Sequence, residues 1–413
     1  MGLKTIFQAW MVIFIVSNPF AIQIDDLKHL MSRVGFGMSQ SDVELYKNLD
    51  RSAVIHRVLI SSKEGSVTKM PDLGRGKNQF QRSLKDLSQD ARSLVRSERR
   101  EMGKTLKAWW IKEMVHTNSP ITEKMTLFWH GHFTSSLRKV KLPVLMAKQN
   151  ALFRKNSMGS FSDLLKDMVH DPALAIYLDN HLNRKKKPNE NLARELLELF
   201  TLGEGNYTES DVKAAARALT GSKYSPVSGK LDLVFRRHDS GKKQFLGRVG
   251  NFSADDIVQI LLKHPQTAIH IATKIWNEFI SIPPSTERIA EVSDVFRGSD
   301  YSIKKLLSLI LNSSEFWSPK NRLSAIKSPV ELLVGVIRGF EITSVDFALL
   351  VKLCRQLGQD LFDPPNVKGW SGGQDWITTY TLSVRQRAMH KLVEKYSGKD
   401  RIYSILAPEW QLK

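Results

Sequence analysis

The chain has 413 residues, of which 42% are hydrophobic and 25% charged, so it can bury a substantial core and is not disordered throughout. Its 61 lysines and arginines against 42 aspartates and glutamates give a net charge of +19, which favours anionic partners such as nucleic acid, lipid headgroups or acidic envelope polymers. The one cysteine, Cys354, excludes an internal disulfide.

The N-terminus has the pattern of a secretory signal. Lys4 precedes an apolar run over Ile6–Val16, and Ser17, Asn18 and Pro19 end that run. We therefore predict a signal peptide over residues 1–23 and an exported protein, either periplasmic or extracellular. An uncleaved membrane anchor is the alternative, although the run is short for a membrane span. No later stretch is long and apolar enough to be a transmembrane span.

Beyond residue 24 the hydrophobic pattern is mostly helical. Ser39 with Asp42, and Thr208 with Asp211, form capping boxes that each predict a helix start. Residues 81–117 predict one long basic helix, and SPITEKMTLFWHGHFTSS predicts a helix that frays at Gly131. Amphipathic segments continue from Asp255 to the last basic helix, at about residues 380–395.

Residues 222–250 differ, because short apolar runs alternate with glycines. They predict a β-hairpin insert over 229–250, with HDSGKKQFLG as its connecting loop. The predicted fold class is mostly α, a multi-helix globular bundle with this small insert. We interpret the helical halves 24–228 and 251–413 as one continuous domain.

The stretch PNENLARELLELFTLGEG predicts an amphipathic helix over Asn189–Phe200, stopped by Gly203 and Gly205. At about 100° per residue its polar side chains fall within roughly 140° of one another. They are Glu190, Asn191, Arg194, Glu195 and Glu198.

Several ordered strings resemble a large bacterial family, the domain-of-unknown-function family 1800. They include HLMSRVGFG, EKMTLFWHGHFTSS, DPALAIYLDN, PNENLARELLELFTLGEGNYTESDVKAAARALTG, IATKIWNEF, KSPVELLVG and LGQDLFDPPNVKGW. The resemblance covers nearly the whole chain after the signal, and departs at Ser222, where tryptophan would be expected. It implies an exported protein and a possible exported partner of sulfatase-like type, but no chemistry.

The carboxylates Glu190, Glu195 and Glu198 are the first candidate catalytic groups. Paired carboxylates divide acid and base work when one is desolvated and the other stays charged, as in glycoside cleavage. Arg194 lies at i,i+4 from Glu190 and Glu198 and would hold both ionised. Arg194 and Asn191 are then candidates for substrate binding. The alternative is a salt-bridged structural face.

His130 and His132, with Glu123, are candidate transition-metal ligands, and His130 is also a candidate catalytic group. On a helix the two histidines point about 200° apart, so only an extended segment would let both bind one ion. A buried, hydrogen-bonded histidine is the alternative. Asp179 and Asn180 belong to an oxygen-rich segment that could bind a hard cation. The cofactor stays unknown, with a divalent metal as the one suggestion.

Two loops supply the remaining candidates. His238 lies in a basic loop suited to an anionic ligand, and Asn180 is a further candidate for substrate binding. Trp370 and Trp376 flank two glycines and could form a stacking platform for sugar rings, or could simply fill the core. Nucleophile motifs with serine or cysteine, a phosphate-binding glycine loop and a cysteine zinc cluster are absent from the sequence.

Two functions follow from these patterns. The first is an exported helical hydrolase or lyase that acts on an acidic envelope or extracellular polysaccharide. The second is a non-catalytic envelope protein that assembles with an exported partner. Nucleic-acid binding is disfavoured by export and by the lack of a reader motif. The enzyme hypothesis expects Glu195 and Glu198 to line an open cleft within reach of His130 or His238.

Overall fold

The computed structural model describes residues 20–61, 66–73, 80–81, 83–396 and 408–413. Most of the predicted signal peptide, residues 1–19, lies outside this part of the chain. The described helices are α1 Ile24–Val34, α2 Gln40–Tyr46, α3 Arg51–Ile60, α4 Gln89–His116, α5 Pro120–His132, α6 Leu137–Val140, α7 Pro143–Lys155, α8 Phe161–Val169, α9 Pro172–Tyr177, α10 Asn191–Glu198, α11 Glu209–Ala218, α12 Ala254–Lys263, α13 Pro265–Phe279, α14 Thr286–Gly298, α15 Ile303–Asn312, α16 Ser314–Trp317, α17 Pro329–Gly339, α18 Phe347–Gln356 and α19 Thr379–Tyr396. The strands are β1 Ser222–Tyr224, β2 Leu231–Leu233, β3 Lys243–Phe245 and β4 Arg248–Gly250. The prediction of a mostly α fold with a small β insert is confirmed.

Helix starts follow the sequence signals closely. Both predicted capping boxes form, at α2 and at α11, and two more form at the starts of α12 and α17. In each box the side-chain oxygen of the cap residue accepts a hydrogen bond from a free amide of the first turn. Proline lies in the first turn of α5, α7, α9, α13 and α17, where its missing N–H costs nothing.

Two hydrophobic clusters form the core, and α5 lies between them. Ile121, Met125 and Trp129 of α5 pack into the first cluster, with α1, α8, α10 and α13. Leu127 packs into the second, with α4, α17 and α18. Each cluster takes residues from both halves of the chain, and every residue of α5 is buried or half-buried. The fold is therefore built around α5, whose C-terminal end reaches the site described below.

The β insert is two hairpins rather than one. Strand β1 pairs with β2 in antiparallel register, with Tyr224 opposite Leu231, and β3 pairs with β4, with Phe245 opposite Arg248. The predicted connecting loop HDSGKKQFLG instead contains β3 and the turn that leads to β4. Buried Lys243 and Phe245 alternate with exposed Gln244, the period of two that defines a half-buried strand.

Three helix boundaries differ from the prediction. The basic helix α4 begins at Gln89 rather than 81, because the Ser88 hydroxyl caps it by accepting from the Ala91 amide at 3.3 Å. Helix α5 continues through Gly131 to His132. Helix α10 ends at Glu198, because the Leu199 and Phe200 amides both bond the Glu195 carbonyl at 2.9 Å and open the last turn.

Candidate functional site

A cleft of about 530 Å³ opens where α5, α13, the start of α17 and the loop 359–376 meet. Its lining contains a concentration of charged and amide side chains. Those used below are Lys124, His132, Lys274, Glu278, Glu331, Trp370, Trp376 and Lys413. The size is typical of clefts that hold small-molecule ligands, and convergent polar groups on largely rigid helices are typical of binding sites.

The floor of the cleft is a tetrad of two lysines and two glutamates, of which Lys124, Lys413 and Glu331 are buried and Glu278 is half-buried. Lys124 of α5 contacts Glu278 at 2.5 Å between Nζ and Oε1, and also contacts Glu331 Oε1. Lys413 contacts Glu331 at 2.5 Å and Glu278 at 3.4 Å. Positive and negative groups thus alternate, which is the arrangement that offsets the desolvation of buried charge.

Burial and ion pairing shift the pKa values of the tetrad in opposite directions. For the glutamates the combined effect of the ion pairs is the larger one. Burial alone would raise the pKa of Glu331, but Lys124 and Lys413 hold that pKa far below its usual range. Likewise burial would lower the pKa of Lys124, and the two glutamates raise it instead. Lys124, Glu278 and Glu331 are therefore ionised at neutral pH, whereas burial lowers the pKa of Lys413.

Glu331 has two separate partners for its two carboxylate oxygens. Oε1 binds the lysines, whereas Oε2 accepts the Ser328 amide at 2.7 Å and completes the capping box of α17. The sequence element SPVE thus fixes one end of a buried ion cluster through a helix cap.

Behind the floor lie three more buried cations, Arg33, Lys327 and Arg385. Arg33 donates to the Asn321 carbonyl at 2.6 Å and to the hydroxyls of two serines in the cleft wall, Ser281 and Ser324. Lys327 donates to the Trp410 carbonyl at 3.0 Å, and Arg385 donates to the Lys327 carbonyl at 2.8 Å. All three therefore bond to neutral oxygens.

The buried region at the floor carries a surplus of positive charge. Five buried cationic side chains, those of Arg33, Lys124, Lys327, Arg385 and Lys413, are balanced there by the carboxylates of Glu278 and Glu331. Burial lowers the pKa of Lys327 to about 8 and that of Arg33 to about 10, because it is unfavourable to hold these charges away from water. An anion in the cleft would reduce that cost.

Lys274 and His132 form one wall. Burial lowers the pKa of Lys274 to about 8, and its ammonium group reaches only the Leu199 carbonyl, at 3.4 Å. In the described part of the chain no carboxylate pairs with it. The His132 ring nitrogens make no well-formed hydrogen bond, although the Phe200 backbone interacts with the ring. Burial holds the pKa of His132 far below its usual range, so the ring is neutral.

The opposite wall is the glycine-rich loop that carries the two predicted tryptophans. Gly369 has φ +82°, and a Cβ there would lie 2.6 Å from the Gly131 carbonyl oxygen at the end of α5. Glycine is thus required for this loop to pack on α5. Trp370 and Trp376 both line the cleft, and Trp370 Nε1 has no hydrogen-bond partner. Both tryptophans therefore reach the cleft, Trp370 as a half-buried side chain and Trp376 as a buried one.

The polar face of α10 is not among the cleft's lining residues. Arg194 pairs with Glu190 at 3.3 Å and with Glu209 at 2.7 Å, rather than with Glu198 as its spacing suggested. Glu198 instead accepts from the Tyr207 hydroxyl at 2.9 Å. Asn191 is exposed. This face is an ion-paired, hydrogen-bonded surface.

Glu195 is half-buried, and burial, with the nearby charge of Glu198, raises its pKa. Its charge also acts on Tyr177 and is offset by Lys368, a cleft residue. The helix meets the cleft only at its end, where the Leu199 carbonyl is hydrogen-bonded by His270 at 3.1 Å and by Lys274. Neither His130 nor His238 is a partner of Glu195.

The remaining predicted residues lie apart from one another. His130 is buried among the rings of Trp110, Phe362 and Trp370 at 5.3–5.6 Å, and burial lowers its pKa to about 3. Because the HGH segment is helical, the His132 ring packs elsewhere, 4.6 Å from Phe133.

Asp179 pairs with Lys139 at 2.8 Å, and Asn180 is buried, accepting from the amide of Asn183 at 3.0 Å. His238 Nδ1 is hydrogen-bonded to the Thr220 carbonyl at 2.9 Å. Across the residues that the structure describes, no group of three or more histidine, cysteine, aspartate or glutamate side chains is arranged to hold a metal ion.

Sequence reasoning missed the charged residues of the cleft, Lys124, Lys274, Glu278, Glu331 and Lys413. One signal was available. Lys124 lies within the apolar surface of α5, and Lys274 and Glu278 are one turn apart in IATKIWNEF. Charged side chains on an otherwise buried helix face need partners of opposite charge, and a single sequence does not show which residues those partners are.

The fold and the site together define a helical protein with a cation-rich, tryptophan-lined cleft. Residues 29–410 match the model of the family DUF1800, described as a protein of unknown function, and the chain belongs to that family. No curated protein and no solved structure shows a detectable match to the chain. Among the described helices none has both the length and the apolarity to cross a membrane.

Proposed function

We propose that the protein is exported and binds an acidic saccharide of the cell envelope in the cleft. The observation that carries this proposal is the surplus of buried cations in the cleft floor and directly behind it. It is unfavourable to remove five cationic side chains from water when only two carboxylate side chains, those of Glu278 and Glu331, are there to pair with them. An anionic ligand would offset part of that cost. The low dielectric around the floor strengthens its attraction for an anion.

Saccharide chemistry is supported by the walls. Trp370 offers an aromatic surface, while Gln374 and Asn277 supply amides suited to hydroxyl groups. A ring that carries a carboxylate or sulfate could stack on Trp370 with its anion toward Lys274. The volume of about 530 Å³ accommodates a short segment of such a polymer.

The binding test compares an oligogalacturonate with a neutral galactose oligomer of equal length, by titration calorimetry. The acidic ligand should bind and the neutral one should not. Lys274→Met should weaken binding about tenfold, since it removes one charge-assisted contact. The matched control is Lys305→Met, on the exposed face of α15, which should leave affinity unchanged. Equal affinity for both ligands, or full affinity in Lys274→Met, would refute the proposal.

A lyase is the second candidate function, favoured by Lys274 with its pKa of about 8. In such a reaction the neutral Nζ accepts the proton on the carbon next to the substrate carboxylate. The C–O bond at the adjacent carbon breaks, a C=C bond forms, and the leaving oxygen takes a proton from water. The unsaturated product absorbs ultraviolet light, so turnover is measured directly. Binding without turnover would leave the non-catalytic binding function.

Hydrolysis by Glu195 and Glu198 receives less support, because these carboxylates do not line the cleft. Glu198 accepts a hydrogen bond from the Tyr207 hydroxyl, and the pKa of Glu195 is raised by burial and by the charge of Glu198. Glu195→Gln and Glu198→Gln should therefore leave affinity for the oligogalacturonate unchanged. A loss of turnover in either variant with intact binding would return these carboxylates to a catalytic role.

A further inference from the structure

A second surface, away from the cleft lining, combines exposed apolar side chains with unpaired cations. It consists of residues 182–187 and 223–237, which we call the hairpin patch. It includes the last two residues of β1, all of β2 and the turn that follows β2. Three large apolar side chains stand out to solvent in it: Val227 is 88% exposed, Phe235 79% and Leu233 56%. Leu182 is also exposed.

Hydrogen bonds hold the two segments together as one surface. The Lys185 amide donates to the Arg237 carbonyl at 2.8 Å, and the Gly221 amide donates to the Asn183 carbonyl at 3.1 Å. The Val234 amide then donates to the Gly221 carbonyl at 2.9 Å. The basic turn and the apolar turn after β2 are therefore adjacent, and their relative placement does not depend on side-chain contacts.

The patch is strongly cationic. Its eight cationic side chains are Arg184, Lys185, Lys186, Lys187, Lys223, Lys230, Arg236 and Arg237, against the single acidic residue Asp232. Seven of the eight are exposed, and Arg237 is half-buried. None of them forms an ion pair with any residue that the structure describes. Elsewhere on the protein, surface cations such as Arg194, Arg217 and Arg288 are paired with carboxylates.

We propose that the hairpin patch docks on a membrane surface that contains anionic lipid headgroups. The cations would neutralise lipid phosphates, while Phe235, Val227 and Leu233 enter the interfacial layer. Each feature alone has an ordinary explanation, because surface lysines are common and single exposed apolar residues are normal. Their combination on one hydrogen-bonded surface matches the chemistry of a membrane interface, with apolar area for the acyl boundary and positive charge for the headgroups.

Anionic lipid is favoured over a soluble polyanion because of the apolar side chains. A polyanion would contact the lysines and leave Val227 and Phe235 in water. A lipid interface would bury both, and burial of one phenylalanine side chain strengthens partitioning about tenfold or more. The loss of binding in an apolar variant therefore separates the two ligands.

The test is co-sedimentation of the full chain with vesicles of phosphatidylcholine, with and without phosphatidylglycerol. Phosphatidylcholine vesicles give the background from the apolar N-terminal segment. Binding should require phosphatidylglycerol and fall as salt rises. Phe235→Ser should weaken it about tenfold. Lys185→Gln combined with Lys186→Gln should weaken it about 25-fold, since each lysine near such a surface contributes about fivefold.

Matched controls are Val295→Ser, at an exposed apolar position on α14, and Lys305→Gln on α15. Both should bind as the parent does. Thermal melting of each variant checks that the fold is intact. Phosphatidylglycerol-dependent binding that survives Phe235→Ser would show simple polyanion attraction, and overturn the proposal. So would equal binding to both vesicle types, or an equal loss in the control variants.

Discussion

Replacing Lys124 by methionine should destabilise the protein by about 3 kcal/mol, the lower end of the range for removing one partner of a buried ion cluster. Lys124 is 3% exposed, so water cannot take the place of its ammonium group beside Glu278 and Glu331. The lower end applies because Lys413 remains in contact with both glutamates. Methionine keeps most of the side-chain volume, so the loss reports charge rather than a cavity.

The matched control is Lys274→Met on the cleft wall. There the lysine has no carboxylate partner in the described part of the chain, and burial lowers its pKa to about 8. Removing this cation should therefore raise stability at pH 7, because the unfolded chain holds its proton more tightly than the folded one. The two Lys→Met variants should therefore change the free energy of unfolding in opposite directions.

The assay is urea denaturation at pH 7, supported by thermal melting. With an unfolding entropy of about 2.1 cal/mol/K per residue over 413 residues, 3 kcal/mol corresponds to a fall in Tm of about 3–4 °C. Glu331 has a depressed pKa in the folded state, so its stabilising contribution is complete above pH 4.5, its ordinary value, and is lost as pH falls below it. The difference between the parent and Lys124→Met should accordingly shrink below pH 4.5.

A loss well under 1 kcal/mol in Lys124→Met would refute the reasoning. It would mean that water in the cleft screens the tetrad as effectively as at an exposed surface. Destabilisation by both lysine variants would also refute it, because the buried surplus of cations would then not be a cost.

Three further predictions concern the loop, the wall and α10. Gly369→Ala should destabilise the protein by about 3 kcal/mol, because the new Cβ would meet the Gly131 carbonyl. Gly372→Ala, also at positive φ but with open space around it, should cost about 1 kcal/mol, and thermal melting compares the two variants. Affinity for the oligogalacturonate should fall between pH 7 and 9 as Lys274 loses its proton, and should fall less over that range in Lys274→Arg, where Lys327, whose pKa burial lowers to about 8, still loses its proton; a flat parent profile would contradict the role of Lys274. Arg194→Met should change neither the affinity nor, appreciably, the Tm, since its pairs are exposed to solvent; a large Tm loss would mean that the α10 surface is more than a solvated ion-pair face.

Local signals in the sequence predicted most of the helices. Capping boxes such as Ser39 with Asp42 depend on residues three positions apart, and these formed as expected. The prediction that α5 frays at Gly131 was wrong, because glycine favours fraying only when no other contact holds the last turn of a helix. Here the Phe133 amide bonds the Trp129 carbonyl at 2.8 Å, and aromatic packing fixes both histidines.

The site was predictable only where its residues are close in sequence. Trp370 and Trp376 share one glycine-containing loop, and that proximity suggested a platform. Lys124, Glu331 and Lys413 meet across 82 to 289 positions, and only tertiary packing brings them together. The α10 carboxylates looked like a site because they are dense in sequence, yet Arg194 pairs with Glu209, fifteen positions further along the chain, rather than with Glu198.

Because the two carboxylate oxygens of Glu331 bind different partners, the first turn of α17 should respond when a ligand binds in the cleft. One oxygen holds the Ser328 amide and the other holds the two floor lysines. An anion that draws Lys124 and Lys413 upward would redistribute the charge on Glu331, and with it the strength of the cap. The rate of amide hydrogen exchange at Ser328 would then change when an anion binds, even though the Ser328 amide bonds to Glu331 and not to the anion. Occupancy of the cleft could thus be followed at a single backbone position, before any substrate or product is known.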